Sequence, residues 1–186
     1  KYYFEDIAVE VQQFTETGVY SLYSIQLYDE LANDSYWGRD KLQELGISSE
    51  ITVVGGQSDT TAPTFHSFET TKNTVDISQG DANAYFDVVV SDDLSGFKSG
   101  YIEWTSPSGS TFINASFWPN ANEDIVGSIT TSDDKYYFEN VAVNVEQFQE
   151  TGVYSLKQIS LYDELNNALF WDEDKLQELG ISSEIT

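Results

Sequence analysis

The chain has 186 residues, 32 of them acidic and 8 basic, and a formal net charge of −24. The acids are spread over its whole length, so neither a phosphate backbone nor an anionic membrane surface would find a basic patch to meet, and nucleic acid and membrane insertion are set aside as partners. Without cysteine there is no disulfide staple, while 40% hydrophobic and 15% aromatic residues suffice for an ordinary core.

The first 52 residues are written twice. Lys1–Thr52 returns as Lys135–Thr186, offset by 134 positions without a gap, with 38 of 52 residues identical. A period of that length is a whole domain rather than a solenoid turn. The expected organisation is therefore the C-terminal half of one repeat over 1–52, a linker over 53–63 and a complete repeat over 64–186. Gly55, Gly56 and the polar turn before Pro63 mark the linker.

Within the complete repeat, Phe65, Phe68, Val75 and Ile77 are separated by polar residues, as on an edge strand that Gly80 closes. Asn83–Asp93 alternates with Phe86, Val88 and Val90 on one face. It ends in the turn Ser91-Asp92-Asp93-Leu94-Ser95-Gly96. Gly100–Thr105 follows with Ile102 and Trp104 inward, then the turn Ser106-Pro107-Ser108-Gly109 and a strand over Ser110–Trp118. Residues 119–134 read as a long surface loop with at most a short strand at Ile125–Ile129.

In the repeated half, Val141, Val143 and Val145 alternate with polar or small residues. Tyr154 and Leu156 share one phase and Ile159 and Leu161 the other, so a bulge near Lys157 and Gln158 is needed to turn all four inward. That register sends Lys157 and Ser160, which are Tyr23 and Gln26 in the first copy, to solvent. Asp172–Gly180 reads as two helical turns, with acids at the start, Leu176 and Leu179 on one face and Gly180 as C-cap. Ile181–Thr186 resumes as strand.

Short strands about ten residues apart, separated by Gly, Pro and Asx turns, predict an all-β, antiparallel β-sandwich of immunoglobulin-like type with one short helix before the last strand. Trp104 on the third strand and Tyr154 just after a glycine turn occupy the places of the buried tryptophan and the tyrosine corner.

Asp59-Thr60-Thr61-Ala62-Pro63-Thr64, Asp92-Asp93-Leu94-Ser95-Gly96, Ser106-Pro107-Ser108-Gly109 and the run from Gln147-Phe148 through Gly152-Val153-Tyr154 to Leu161-Tyr162-Asp163 follow one another in an order that resembles the immunoglobulin-like tandem repeats of large bacterial surface adhesins and other secreted calcium-dependent repeat proteins. The resemblance covers nearly all of 59–186 and, through the copy, 1–52. It departs at Asp163-Glu164-Leu165-Asn166-Asn167, where such repeats usually carry a glycine. The resemblance implies an extracellular, cell-surface location, export signals outside these residues, and neighbouring repeats or identical chains as partners in a surface protein or filament. It also implies a structural Ca2+ at the interdomain pole, where Asp59, Asp92, Asp93 and Asp163 are expected to converge. The plainer reading of the same residues is an Asx-type turn at Asp92 and Asp93 and a solvated Asp163.

Asp172, Glu173 and Asp174 are more simply the acidic first turn of a helix. His66 is the single histidine, and with no cysteine to pair with it a hydrolase is not expected; no enzyme activity is assigned. The alternative from another class is a carbohydrate-binding module using exposed aromatics: Tyr2, Tyr3 and Phe4 with Tyr136, Tyr137 and Phe138, and Tyr36-Trp37 with Phe170-Trp171. Surface glycans would then be the partner, although cross-strand packing is the commoner use of such residues.

Overall fold

A computed structural model describes residue 3 and residues 5–186. The chain divides into two units at Asp59 and Thr60, inside the expected linker. Tyr2 and Phe4 of the expected aromatic strip lie outside the described residues.

The first unit holds β1 (Gly18–Ser21), β2 (Ile25–Tyr28), β3 (Asp34–Trp37), α1 (Arg39–Glu44) and β4 (Glu50–Val53). Its strands make two separate antiparallel pairs, β1 with β4 and β2 with β3. Residues 5–17 form no strand. Ile7 and Val9 are 75% and 65% exposed, and Leu42 is its one buried hydrophobic side chain among the described residues.

The second unit is a two-layered sandwich. Its strands are β5 (Thr64–Lys72), β6 (Ala82–Ser91), β7 (Phe97–Thr105), β8 (Phe112–Phe117), β9 (Val126–Ser132), β10 (Lys135–Val145), β11 (Tyr154–Asp163) and β12 (Ala168–Trp171), followed by α2 (Glu173–Leu179) and β13 (Glu184–Ile185). One sheet has the order β5-β6-β10-β9 and the other β12-β11-β7-β8, with β13 also pairing with β11. Every ladder is antiparallel. In chain order these are the A-B-E-D and G-F-C arrangements of the immunoglobulin sandwich, with β8 added beside strand C.

Period-two alternation makes this core. Phe86, Val88 and Val90 of β6 face Ile102 and Trp104 of β7, all fully buried. Phe117 and Phe138 meet edge to face at 5.0 Å, and Phe86 lies 5.7 Å from Trp104, separations at which aromatic pairs add to simple area burial. The Trp104 indole N–H donates to Ser183 Oγ at 3.2 Å, and that hydroxyl is 2.6 Å from Thr70 Oγ1. One serine thus ties β7 in one sheet to β5 in the other.

Tyr154 forms the tyrosine corner, its hydroxyl donating to the Glu150 carbonyl at 2.9 Å. The first copy repeats it, from Tyr20 to the Glu16 carbonyl, also at 2.9 Å. The register of β11 on β7 shifts between Leu156 and Gln158, the bulge that brings Leu156, Ile159 and Leu161 into one core. Lys157 is partly exposed as that register requires, but Ser160 is only 3% exposed. It stands between its ladder neighbours Tyr101 on β7 and Phe170 on β12. Contrary to the expectation that Ser160 reaches solvent, β12 flanks β11 at this position and covers it.

Two further elements differ from the sequence reading. β9 extends to Ser132, so the expected loop closes as a hairpin. Asp133 and Asp134 at its tip have φ of 52° and 60°, both in the left-handed region that a two-residue type I′ turn requires. Ile181–Thr186 is mostly irregular, with only Glu184 and Ile185 in the sheet. Helix α2 matches its expectation: the Asp172 carboxylate caps Lys175 N–H at 3.0 Å, and Gly180 ends it at φ 69°.

Candidate metal centre

The turn between β6 and β7 is built by Asp92. Its Oδ2 accepts the backbone N–H of Gly96 at 2.7 Å and of Leu94 at 3.3 Å, which folds the loop back over its own start, as an Asx turn does. Gly96 completes the reversal at φ 98°. The neighbouring Asp93 accepts the Thr61 hydroxyl at its Oδ1. That bond fixes the segment leading into β5 against the turn.

Two residues before Thr61, Asp59 is 6% exposed. One carboxylate oxygen from each of Asp59, Asp92 and Asp93 lies within 4.8 Å of the others. Oxygens bound to one calcium ion at about 2.3–2.6 Å can stand no more than roughly 5 Å apart, so the spacing and the all-oxygen donor set fit such an ion. Three carboxylates so close together repel one another, and a divalent cation is the charge that would relieve it. Backbone carbonyls and water would have to supply the remaining ligands.

Asp163 is not brought into this group. It is fully buried, and its two oxygens accept the Asn167 backbone N–H at 2.7 Å and the Asn167 side-chain amide at 2.6 Å. The turn it builds takes its left-handed residue from Asn166, at φ 66°, in place of the missing glycine. Asp29 does the same in the first copy, accepting from Leu31 and Asn33, with Ala32 at φ 62°. These hydrogen bonds, that to the Asn33 side chain first, hold the Asp29 carboxyl below its ordinary range. Asp163 is thus neither solvated nor part of the group; Glu164 N–H donating to the Gly96 carbonyl at 3.0 Å lays its turn beside the Asp92 loop.

Sequence reasoning missed Asp133 and Asp134. With Asp92, Asp93 and Lys135 they line a surface cleft of about 570 Å³. The signal was the Asp-Asp pair just ahead of the repeated half, readable only once that pair is recognised as a hairpin tip.

The other candidates have structural uses. Asp172 caps α2, and Glu173 pairs with Lys157 at 2.9 Å. His66 Nε2 lies 2.8 Å from Ser91 Oγ on the outer face of β5 and β6, and partial burial, then Lys135, hold its imidazole below its ordinary value. Phe138 is in the core, the Tyr136 ring lies tilted against Phe97 at 5.7 Å, and Trp171 packs edge to face on Phe65 at 5.1 Å. Phe170 is the member of its pair left mostly exposed, at 59%.

Residues 58–183 match a family described as a domain of unknown function, DUF7035. The chain belongs to this family. No curated protein matches it. The DUF7035 match takes in the sandwich from β5 through α2, short of β13, and it begins one residue before Asp59, so all three clustered carboxylates lie inside it. Among the described residues no helix is long and apolar enough to cross a membrane.

Proposed function

We propose that this DUF7035 chain is a non-enzymatic structural repeat of an extracellular bacterial surface protein or filament, stiffened by Ca2+ bound where the repeat begins. What carries the reading is the duplication: a half-sandwich of 52 residues recurs with 38 identities and no gap, the mark of a module copied for length rather than for a unique site. The calcium part draws support from Asp59, Asp92 and Asp93, whose oxygens are spaced for one ion. An ion there would pin the segment ahead of β5 to the β6–β7 turn and restrict the Gly55-Gly56 linker.

The test is calcium removal followed by readdition. At Ca2+ a hundredfold above Kd the folded state gains about 2.7 kcal/mol, a rise of roughly 10 °C in Tm for a domain of this size. The double substitution Asp92→Asn with Asp93→Asn should abolish that rise. A NaCl series separates simple screening of the net charge from site binding. A Tm and hydrodynamic radius that EDTA leaves unchanged would remove calcium from the proposal.

A further inference from the structure

These 186 residues hold two copies of a C-terminal half-sandwich sequence, 1–52 and 135–186, with one N-terminal half, 64–132, between them. In the structure 135–186 completes it. Thirteen residues of 135–186 are buried, and the first copy has the same residue at eleven of those positions. The two changes are Ile7 for Val141 and Gln26 for Ser160. The first copy therefore carries the core chemistry to fill the same place, yet Val9, Tyr20, Leu27 and Ile51 stand exposed.

The connection is also long enough. Thr186 exchanges backbone hydrogen bonds with Asn73 and Val75, just past the end of β5, so Thr52 placed there must be joined to Thr64 at the start of β5. Nine strand residues span about 30 Å, whereas the twelve steps from Thr52 to Thr64 reach about 40 Å. Because β5 is a sheet edge, the linker has an open flank to run along.

We infer that residues 1–52 can displace 135–186 from the 64–132 half of the same chain, giving a circularly permuted sandwich in which the second copy is the displaced one. The observed frame is favoured, because it closes through the two-residue Asp133-Asp134 turn and the permuted one through the eleven-residue linker 53–63, a difference of roughly tenfold in loop closure. Gln26 at the tight Ser160 position adds to that preference. The inference stands independently of calcium.

Leu161→Asp in the full chain disables one frame, Leu27→Asp the other, and the pair disables both. Amide exchange is read at Phe86, Val88 and Ile102. With Leu161→Asp these amides should keep protection, reduced at least tenfold from the parent, in a monomer, while the double variant loses it. Exchange as fast in Leu161→Asp as in the double variant overturns the inference. So does protection that appears only with a dimeric mass, since the half would then come from another chain. A trap covers the case in which the charge disrupts more than one frame. Gln158 faces Glu103 across the ladder, and its counterpart in the first copy is Ser24, so Ser24→Cys with Glu103→Cys forms an intramolecular disulfide only in the permuted frame. The parent has no cysteine to compete. Oxidation yielding no more monomeric crosslink than Ser24→Cys with Glu69→Cys, a position on the opposite sheet, overturns the inference as well.

Discussion

Ser183 shows how much of this sandwich rests on single polar contacts in its apolar layer. The Trp104 indole N–H is fully buried, and its acceptor is the Ser183 hydroxyl, which also meets Thr70. A buried donor stripped of its partner keeps its whole desolvation cost. Ser183→Ala should therefore destabilise the second unit by about 1–3 kcal/mol, measured by urea denaturation followed through tryptophan fluorescence, to which Trp104, Trp118 and Trp171 of that unit contribute. Ser49 holds the equivalent place in the first copy, where there is no Trp104 to serve, and Ser49→Ala should leave the transition unmoved. Gly100 is the steric counterpart of this polar dependence. A Cβ built on it would stand 2.1 Å from the Phe117 ring, its cross-strand neighbour, so only a bare backbone lets β8 lay that ring over β7.

Turns and bulges, at the next scale, join residues far apart in sequence. Glu150 in the turn before β11 accepts from Ser108 N–H at 3.2 Å and from Ser108 Oγ at 2.7 Å, tying that turn to the one between β7 and β8. These bonds, that from the Ser108 hydroxyl first, hold its carboxyl below the ordinary value of 4.5. A carboxyl depressed in the folded state adds stability that is fully present above its unfolded pKa and is lost as pH falls through the folded value. The Tm advantage of the parent over Glu150→Gln should therefore be constant at neutral pH and shrink below about pH 4.5. A gap that persists unchanged to pH 2.5 would assign the effect to packing instead. At this scale the sequence was most readable where a local rule sufficed: the alternation of Phe86, Val88 and Val90, the Leu156–Ile159 phase change that demanded a bulge, the tyrosine corner, and Asp172 and Gly180 bounding α2. It was least readable where position depends on distant chain. β12 carries no alternation of its own and is a strand because β11 offers an edge. Of the four carboxylates that the resemblance implied would share an ion, three come together through loop closure by Asp92 and Thr61, while Asp163 is held by Asn167, a bond that its own turn sequence contained.

For the whole chain, the duplicated half is a built-in comparison of local and distant causes. The first copy keeps what 52 residues can specify alone: the Tyr20 corner, the Asp29 turn, the short helix α1 over Leu42, and the left-handed Asp6 at φ 54°, matching Asn140 at φ 54°. Its residues 5–17 form no strand, whereas the matching strand at Lys135–Val145 is hydrogen-bonded on both sides, to β6 and to β9. Near-identical residues, Ile7, Val9 and Val11 against Val141, Val143 and Val145, are thus exposed in one setting and buried in the other. Local propensity cannot account for that difference; cross-strand partners can. Native-state amide exchange checks it directly. Amides of 7–11 should exchange near the unprotected rate, while those of 141–145 require opening of the sandwich and should be slower by several orders of magnitude. Equal protection in the two segments would mean that partners for the first copy are found after all, and the permuted frame, in which 7–11 take the place of 141–145 between β6 and β9, would be the first arrangement to look for.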